Sequence, residues 1–276
     1  GVQTCALPIY IVTLRLIMDF CFRKKHKLFV VFIDFSKAYD RVPRHALMKV
    51  LKRLGCGAIM LAAIASMYKV SKCVLGLAII SAVIGVRQGS PTSCFLFTIF
   101  VNDLISSLKT KCLYDSFLKW LHVLMLMDDT VIFASTREKC LEKLHILKEF
   151  CIESGMVINE AKTKFMAVNG TADDRLPLVV GENDVLKVLH CEQYVYLGSI
   201  FTCDGSTLTA VNEHAKSVTK HLWKLVSFFS KNPDFPFSVK KKVLDAAFLT
   251  AILYGCESWL NVGLKKMENI DRKSVV

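Results

Sequence analysis

The chain has 276 residues, enough for one large domain or two modest ones, and 53% of them are hydrophobic, so a sizeable core can be buried. Lys and Arg outnumber Asp and Glu by 36 to 24, a net charge of +12, which suits either a polyanionic partner or a solvated basic surface. The 11 cysteines are odd in number, form no CxxC pair and have no histidine at zinc-ligand spacing, which argues against disulfide and zinc partners and for a reduced intracellular compartment, nucleus or cytoplasm left open.

The ends look foreign to the rest. Ala6-Leu7-Pro8-Ile9 can be encoded by GCT CTT CCG ATC, and Asp271-Arg272-Lys273-Ser274 by its reverse complement, GAT CGG AAG AGC. Residues 1–9 and 271–276 are therefore expected to be translated sequencing adapters and are set aside from fold reasoning. Between them, Tyr10 to Lys27 reads as a helix ending in a basic cluster, and Leu28 to Asp34 as a buried strand. Arg44 to Leu54 and Ala58 to Tyr68 read as helices, the first with Gly55 as its C-cap. Lys72 to Val86 reads as one or two strands around Gly76 or Ser81. Its last 13 residues, Val74 to Val86, are the longest apolar run, which is too short to span a bilayer, so no membrane partner is expected.

Pro91 to Lys109 has proline in its first turn and Ser90 as a possible N-cap. Trp120 to Met127 and Thr130 to Ala134 read as strands around an Asp pair. Ser135 and Glu138 have the spacing of a capping box for a helix running to about Ser154, which Gly155 stops. Short strands are expected in Met156 to Val168, loop in Asn169 to Asp184, and a strand in Tyr194 to Thr202. Leu208 to Ser230 and Ser238 to Leu253 read as amphipathic helices. The order is mixed α/β followed by a mostly helical end, with a boundary near Gly205.

The chemistry concentrates at carboxylates that end apolar runs. In "VLMLMDDTVIFA", Asp128 and Asp129 stand side by side between strands that read as core. An Asp-Asp hairpin tip is a common turn, but adjacent anions at the edge of a core repel each other and lose hydration. A divalent cation repairs both problems. A second run, "LFVVFIDFSKAYD", ends in Asp34, with Asp40 six residues on. If the two strands are neighbours, three carboxylates converge, the minimum for two-metal phosphoryl transfer.

Together "FVVFIDFSKAYDRV", "GVRQGSPTSCFLFTIFVNDL", "VLMLMDDTVIFA", "SGMVINEAKTKFM" and "YVYLGSI" resemble, in order and approximate spacing, the palm motifs of reverse transcriptases, with the nearest likeness to those of non-LTR (LINE-like) retrotransposons. With the helices that follow, the resemblance covers about residues 28–260. It implies an α+β fold: a right-hand polymerase palm, an antiparallel sheet backed by helices, over residues 10–204 with a remnant of the fingers, then a helical thumb over residues 205–270. On that resemblance the fingers are expected to be largely missing. The implied activity is RNA-directed DNA synthesis, a primer 3′-hydroxyl attacking a deoxynucleoside triphosphate. The implied cofactor is a pair of Mg²⁺ ions, with Mn²⁺ as a substitute, and the implied partners are an RNA template, a DNA primer and dNTPs.

The resemblance also implies residue roles. Asp34, Asp128 and Asp129 would be catalytic metal ligands, assisted by the Phe35 carbonyl. Tyr39 would lie under the sugar and disfavour a 2′-hydroxyl, against the plainer reading of a half-buried aromatic. Gln88 and Gly89 match the turn at the incoming nucleotide, where a small residue admits the backbone. Lys162 would sit near the leaving pyrophosphate, or else be a solvated lysine. Leu197 and Gly198 match the hairpin that grips the primer end. Lys220, Lys224 and Lys240 to Lys242 are candidate phosphate contacts or solubilising charges. The sequence departs from the family where Leu126 and Met127 replace the usual Tyr and Ala before the Asp pair. Two other readings stay open: an inactive fragment that only binds nucleic acid, and a palm-like nucleotide cyclase, which would leave "GVRQGSP" and the basic helical end unexplained.

Overall fold

The computed structural model describes residues 2–69, 72–75, 78–81, 84–87, 89–112, 115–119, 121–182 and 184–259. In chain order, α1 (Val2–Lys24) is followed by β1 (Leu28–Ile33), a helical turn α2 (Ala38–Arg41), α3 (Arg44–Arg53) and α4 (Ala58–Lys69). The hairpin β2 (Lys72–Leu75) and β3 (Ala78–Ser81) precedes α5 (Pro91–Lys111), the hairpin β4 (Val123–Leu126) and β5 (Asp129–Ala134), and α6 (Arg137–Ser154). Then come β6 (Lys164–Val168), β7 (Leu178–Val180), β8 (Leu186–His190), β9 (Gln193–Tyr196), β10 (Ser199–Thr202), α7 (Thr207–Lys231) and α8 (Phe237–Leu244).

The fold is α+β. Six strands form one sheet in the order β4-β5-β1-β6-β8-β7, with separate two-stranded ribbons β9–β10 and β2–β3. The pairs β4–β5, β1–β5 and β7–β8 are antiparallel. β1 is central because its side chains are apolar on both faces; all six are buried, and burying each Val, Ile, Leu or Phe contributes about 1.5–3 kcal/mol. β5 is buried from Thr130 to Ala134 and exposed only at Asp129. β4, at the sheet edge, is half-buried throughout.

The chain divides into two compact units, one of residues 29–165 and 176–189, the other of residues 1–28, 166–175 and 190–276. In the first, α3 and α6 pack on α5. Among the described residues α5 is the one helix long and apolar enough to cross a membrane, but Leu96, Phe97, Phe100, Val101, Leu104 and Leu108 are buried as a core stripe. A buried ion pair lies behind β5. Lys143 Nζ donates to Asp115 Oδ2 at 2.9 Å and to the Phe133 carbonyl at 2.5 Å, and the Ser135 amide donates to both Asp115 oxygens at 3.3 Å. In the second unit α7 packs on β10, and α1 on the turn Cys256–Ser258. Arg15 is buried there, donating to the Ile200 carbonyl at 2.7 Å with its guanidinium 4.2 Å from the Phe201 ring centre.

Several expected boundaries shift, each for a local reason. α1 ends at Lys24 because Lys25 takes a left-handed conformation, and it begins at Val2, with Pro8 inside it. The cap of α6 is Thr136, whose hydroxyl accepts from the Lys139 amide. Ser135 stands one residue before that cap, and its amide donates to Asp115. The expected loop over Asn169 to Asp184 contains β7, and β8 follows it. The expected strand Tyr194 to Thr202 is two strands, since Leu197 and Gly198 both take positive φ, 48° and 77°, as a two-residue hairpin turn requires. The second thumb-like helix leaves α-geometry at Asp245, where a π-turn Asp245–Leu249 follows α8.

Candidate active site

Asp34, Asp128 and Asp129 belong to the first unit, and the sheet brings them together. β1 and β5 are in register with Ile33 opposite Thr130. One step further along an antiparallel pair stands Asp34 against Asp129. β4 and β5 close with Leu126 opposite Asp129, so Met127 and Asp128 form the two-residue turn. Met127 has φ 58°, a left-handed conformation that costs an ordinary side chain roughly 1–2 kcal/mol. The Thr130 hydroxyl donates to the Asp128 carbonyl at 3.4 Å.

The three carboxylates are poorly neutralised. Asp129 is exposed as a residue, yet its carboxyl group is crowded by protein atoms. That desolvation, then Asp128, then Asp34, pushes it up to about 6. Among the described residues the cation paired with Asp34 is Lys162, whose Nζ is 3.8 Å from Asp34 Oδ1. Lys162 is 69% exposed, so water screens the pair and it offsets little of the repulsion. Hard divalent cations such as Mg²⁺ take such oxygens while leaving positions for phosphate. The donor set fits that group.

The segment behind Asp34 fixes its direction. The Asn159 amide donates to the Asp34 carbonyl at 2.7 Å, the Asp34 amide to the Thr163 hydroxyl at 3.1 Å, and the Ser36 amide to the Val157 carbonyl at 2.8 Å. Phe35 bridges Ile158 and is buried. The Thr163 amide donates back to the Asn159 carbonyl at 2.8 Å, a tight turn that carries Lys162 toward Asp34. Asn159 and Thr163 were missed as positioning residues, although both lie in the motif "INEAKTK".

Tyr39 stacks on Phe97 with ring centres 4.8 Å apart. Its hydroxyl is pushed up, first by burial, then by a hydrogen bond with Cys94, and also by the charges of Asp128 and Asp129. Through those last causes the Tyr39 hydroxyl feels the Asp128 and Asp129 charges. Asp40 lies on the same turn, and its backbone meets Gly85. A Cβ on Gly85, whose φ is 84°, would stand 2.8 Å from the Asp40 carbonyl oxygen. The Gly85 amide donates to the Val42 carbonyl and the Val86 amide to the Tyr39 carbonyl. Arg44, also missed, fastens this crossing by donating to the Gly85 and Tyr68 carbonyls. Gly89 has φ 81° and open space where a Cβ would be. Gln88 lies outside the described residues.

The other predicted residues belong to the second unit. Leu197 and Gly198 form the β9–β10 turn, held by the Tyr254 hydroxyl, which donates to the Leu197 carbonyl at 2.6 Å. Lys220 and Lys224 are exposed on α7, and Lys241 and Lys242 on α8. Lys240 is half-buried and donates to the Pro233 carbonyl at 3.1 Å, so it is less available to a phosphate.

The sequence profile of the family "Reverse transcriptase (RNA-dependent DNA polymerase)" matches residues 6–201. The chain belongs to the reverse transcriptase family. It is similar to the Retrovirus-related Pol polyprotein from type-1 retrotransposable element R2 of Nasonia vitripennis, 24% identical over 260 residues, covering 90% of this chain and 25% of that protein. The corresponding protein of Bradysia coprophila is 25% identical, covering 69% of this chain and 23% of its own length. The expected likeness to non-LTR reverse transcriptases holds, and the chain spans about a quarter of these relatives. Among solved structures, apo telomerase from Candida tropicalis aligns with a TM-score of 0.49 at 13% identity, over 98% of this chain and 53% of that one.

Proposed function

We propose that the chain carries the palm of an RNA-directed DNA polymerase and that Asp34, Asp128 and Asp129 hold two divalent cations, Mg²⁺ with Mn²⁺ as a substitute. The observation that carries this reading is the convergence of three carboxylates from two register-paired strands, with, among the described residues, the screened Lys162 to offset them. Bound there, such cations polarise phosphoryl oxygens and make an alcohol a better nucleophile.

In the reaction a primer 3′-oxygen bonds to the α-phosphorus of a dNTP, the α–β anhydride breaks, and pyrophosphate leaves. The Asp34 backbone, clamped by Asn159 and Thr163, fixes one carboxylate. The Met127–Asp128 turn fixes the others. The Tyr39 ring, backed by Phe97, offers a flat surface that suits a deoxyribose and crowds a 2′-hydroxyl. The backbone at Gly89 stands open to a close-approaching base or sugar. Lys162 is suited to charge accumulating on pyrophosphate. Lys220, Lys224, Lys241 and Lys242 suit phosphate contacts with an RNA–DNA duplex, and Leu197–Gly198 suits a primer contact. Palm over residues 10–204 and thumb over 205–270 is the division this reading favours.

The test is primer extension on an RNA template with Mg²⁺ and labelled dNTPs, run beside Asp128→Asn. Extension by the parent chain and its loss in the variant supports the reading. Extension by neither, with salt-sensitive binding of primer–template, replaces it with the nucleic-acid-binding alternative. Consumption of nucleoside triphosphate without any template points instead to cyclase chemistry.

A further inference from the structure

Away from the carboxylates, a second cluster of titratable side chains has the donors of a metal centre, entirely within the second unit. β8 ends at His190, Glu192 immediately precedes β9, and Cys203 immediately follows β10. The β9–β10 ladder pairs Gln193 with Thr202, and it continues by a 2.9 Å hydrogen bond from the Cys203 amide to the Glu192 carbonyl. Opposed residues of an antiparallel ladder put their side chains on one face, and here the Cys203 thiol donates to the Glu192 carboxylate. His190 Nδ1 is 3.8 Å from Glu192 Oε1. One ligand atom from each of the three residues lies within 4.8 Å of the others.

We propose that His190, Glu192 and Cys203 form a zinc site with a fourth position open to water. Imidazole nitrogen, thiolate sulfur and carboxylate oxygen are the donors that Zn²⁺ takes, whereas Mg²⁺ prefers oxygen alone. A tetrahedral ion with bonds of about 2.0–2.3 Å holds its ligand atoms roughly 3.3–3.8 Å apart, so the cluster needs only side-chain adjustment. On binding, the Cys203 S–H bond breaks, a Zn–S bond forms, and the proton leaves to solvent. The carboxylate then exchanges a thiol donor for the metal. Cys203 is buried, His190 half-buried and Glu192 exposed, which leaves one side open for entry. The opposing charge is Arg175, whose Nη1 lies 3.7 Å from Glu192 Oε1; it is exposed and free to turn outward. The spacing is His-x-Glu followed eleven residues later by Cys, across a hairpin, which is why the sequence shows no zinc pattern. A bound ion would fasten the His190–Glu192 link to the foot of the β9–β10 hairpin.

The test uses the reduced, chelator-treated full chain, titrated with Co²⁺ as a spectroscopic substitute for Zn²⁺. The expected result is one equivalent bound per chain with a thiolate-to-cobalt charge-transfer band, and a melting temperature raised by Zn²⁺. Cys203→Ser should abolish the band. Glu192→Gln, at an exposed position that leaves the fold intact, should weaken Co²⁺ binding at least tenfold, and Cys191→Ser should leave the band in place. No band in the parent chain, a band that survives Cys203→Ser, one lost in Cys191→Ser, or equal affinity in Glu192→Gln overturns the proposal. None of these readouts depends on polymerase activity.

Discussion

Without metal, the carboxylate cluster works against the fold, and Asp129→Asn measures by how much. Asp129 is pushed up from the ordinary 3.8 to about 6 by desolvation, Asp128 and Asp34. A shift of that size corresponds to about 3 kcal/mol at 1.36 kcal/mol per unit. Because the residue is exposed, solvent screening reduces this to about 1 kcal/mol. With a raised pKa, the folded chain keeps a proton that the unfolded chain has lost between about pH 4 and pH 6. Stability therefore falls as pH rises through that window, and the full penalty is present at pH 7. The Asn variant carries no charge there. In chelator it should be about 1 kcal/mol more stable than the parent at pH 7 and no more stable at pH 4, read from urea unfolding with equal m-values. Mg²⁺ should raise the parent's midpoint, as any ligand of the folded state does, and move the variant's much less. A variant no more stable at pH 7, or a gain that persists at pH 4, refutes the reasoning.

Four further outcomes are expected. Lys143→Met should cost about 3–5 kcal/mol, because it leaves Asp115 charged, buried and without its close cation. Adding Asp115→Leu should restore most of that loss, and a double variant as weak as the single would refute the account. For Asp115, desolvation raises the pKa, but the Ser135 and Lys143 hydrogen bonds outweigh it and hold the carboxyl low. Its stabilisation should thus persist through mild acid and fade only below the usual carboxylate range. Gly198→Ala places a methyl 2.9 Å from the Tyr254 ring at φ 77°, so a loss of about 1–3 kcal/mol is expected in thermal melts, partly relieved by Tyr254→Ala. Lys162→Met should change stability by under about 0.5 kcal/mol while slowing extension; unchanged extension would remove Lys162 from the leaving-group side.

What was legible in the sequence was local. Residues 28–33 form an unbroken apolar run, a central strand needs that on both faces, and its end at Asp34 is therefore marked in the chain itself. The Met127–Asp128 turn is marked the same way from both sides. The turn at Leu197–Gly198 was read locally as part of one strand, because β-favouring aromatic and branched residues flank it on both sides and glycine in a short strand also reads as a bulge; only the family resemblance matched the pair to a hairpin. β7 and β8 were missed for a related reason. They are short, separated by "GENDV", and turn Val179, Lys187 and Leu189 to solvent, so neither shows the alternation of apolar and polar residues that marks a half-buried strand. Pairings between distant segments, such as Asn159 with Asp34 or Arg44 with Gly85, leave no periodicity for a sequence reading to find.

Charge shows where local reading stops. Asp115 and Asp129 are both acidic residues beside apolar segments, and the chain marks only Asp129, by its neighbour Asp128; what answers each charge comes from far along the sequence. Asp115 receives Lys143, from a helix 28 residues away, and the Ser135 amide. Its charge is answered within the protein, and its carboxyl stays low. Asp129 receives two further carboxylates instead and rises. A buried anion with its own cation is a structural element, since removing either partner strands the other. An anion crowded by like charges either holds a proton or takes a counterion from outside, and that demand separates a site from a scaffold. The same criterion applies at Glu192. There the carboxylate accepts a thiol hydrogen bond and faces an exposed Arg175 at 3.7 Å, a weak answer that a divalent ion would improve.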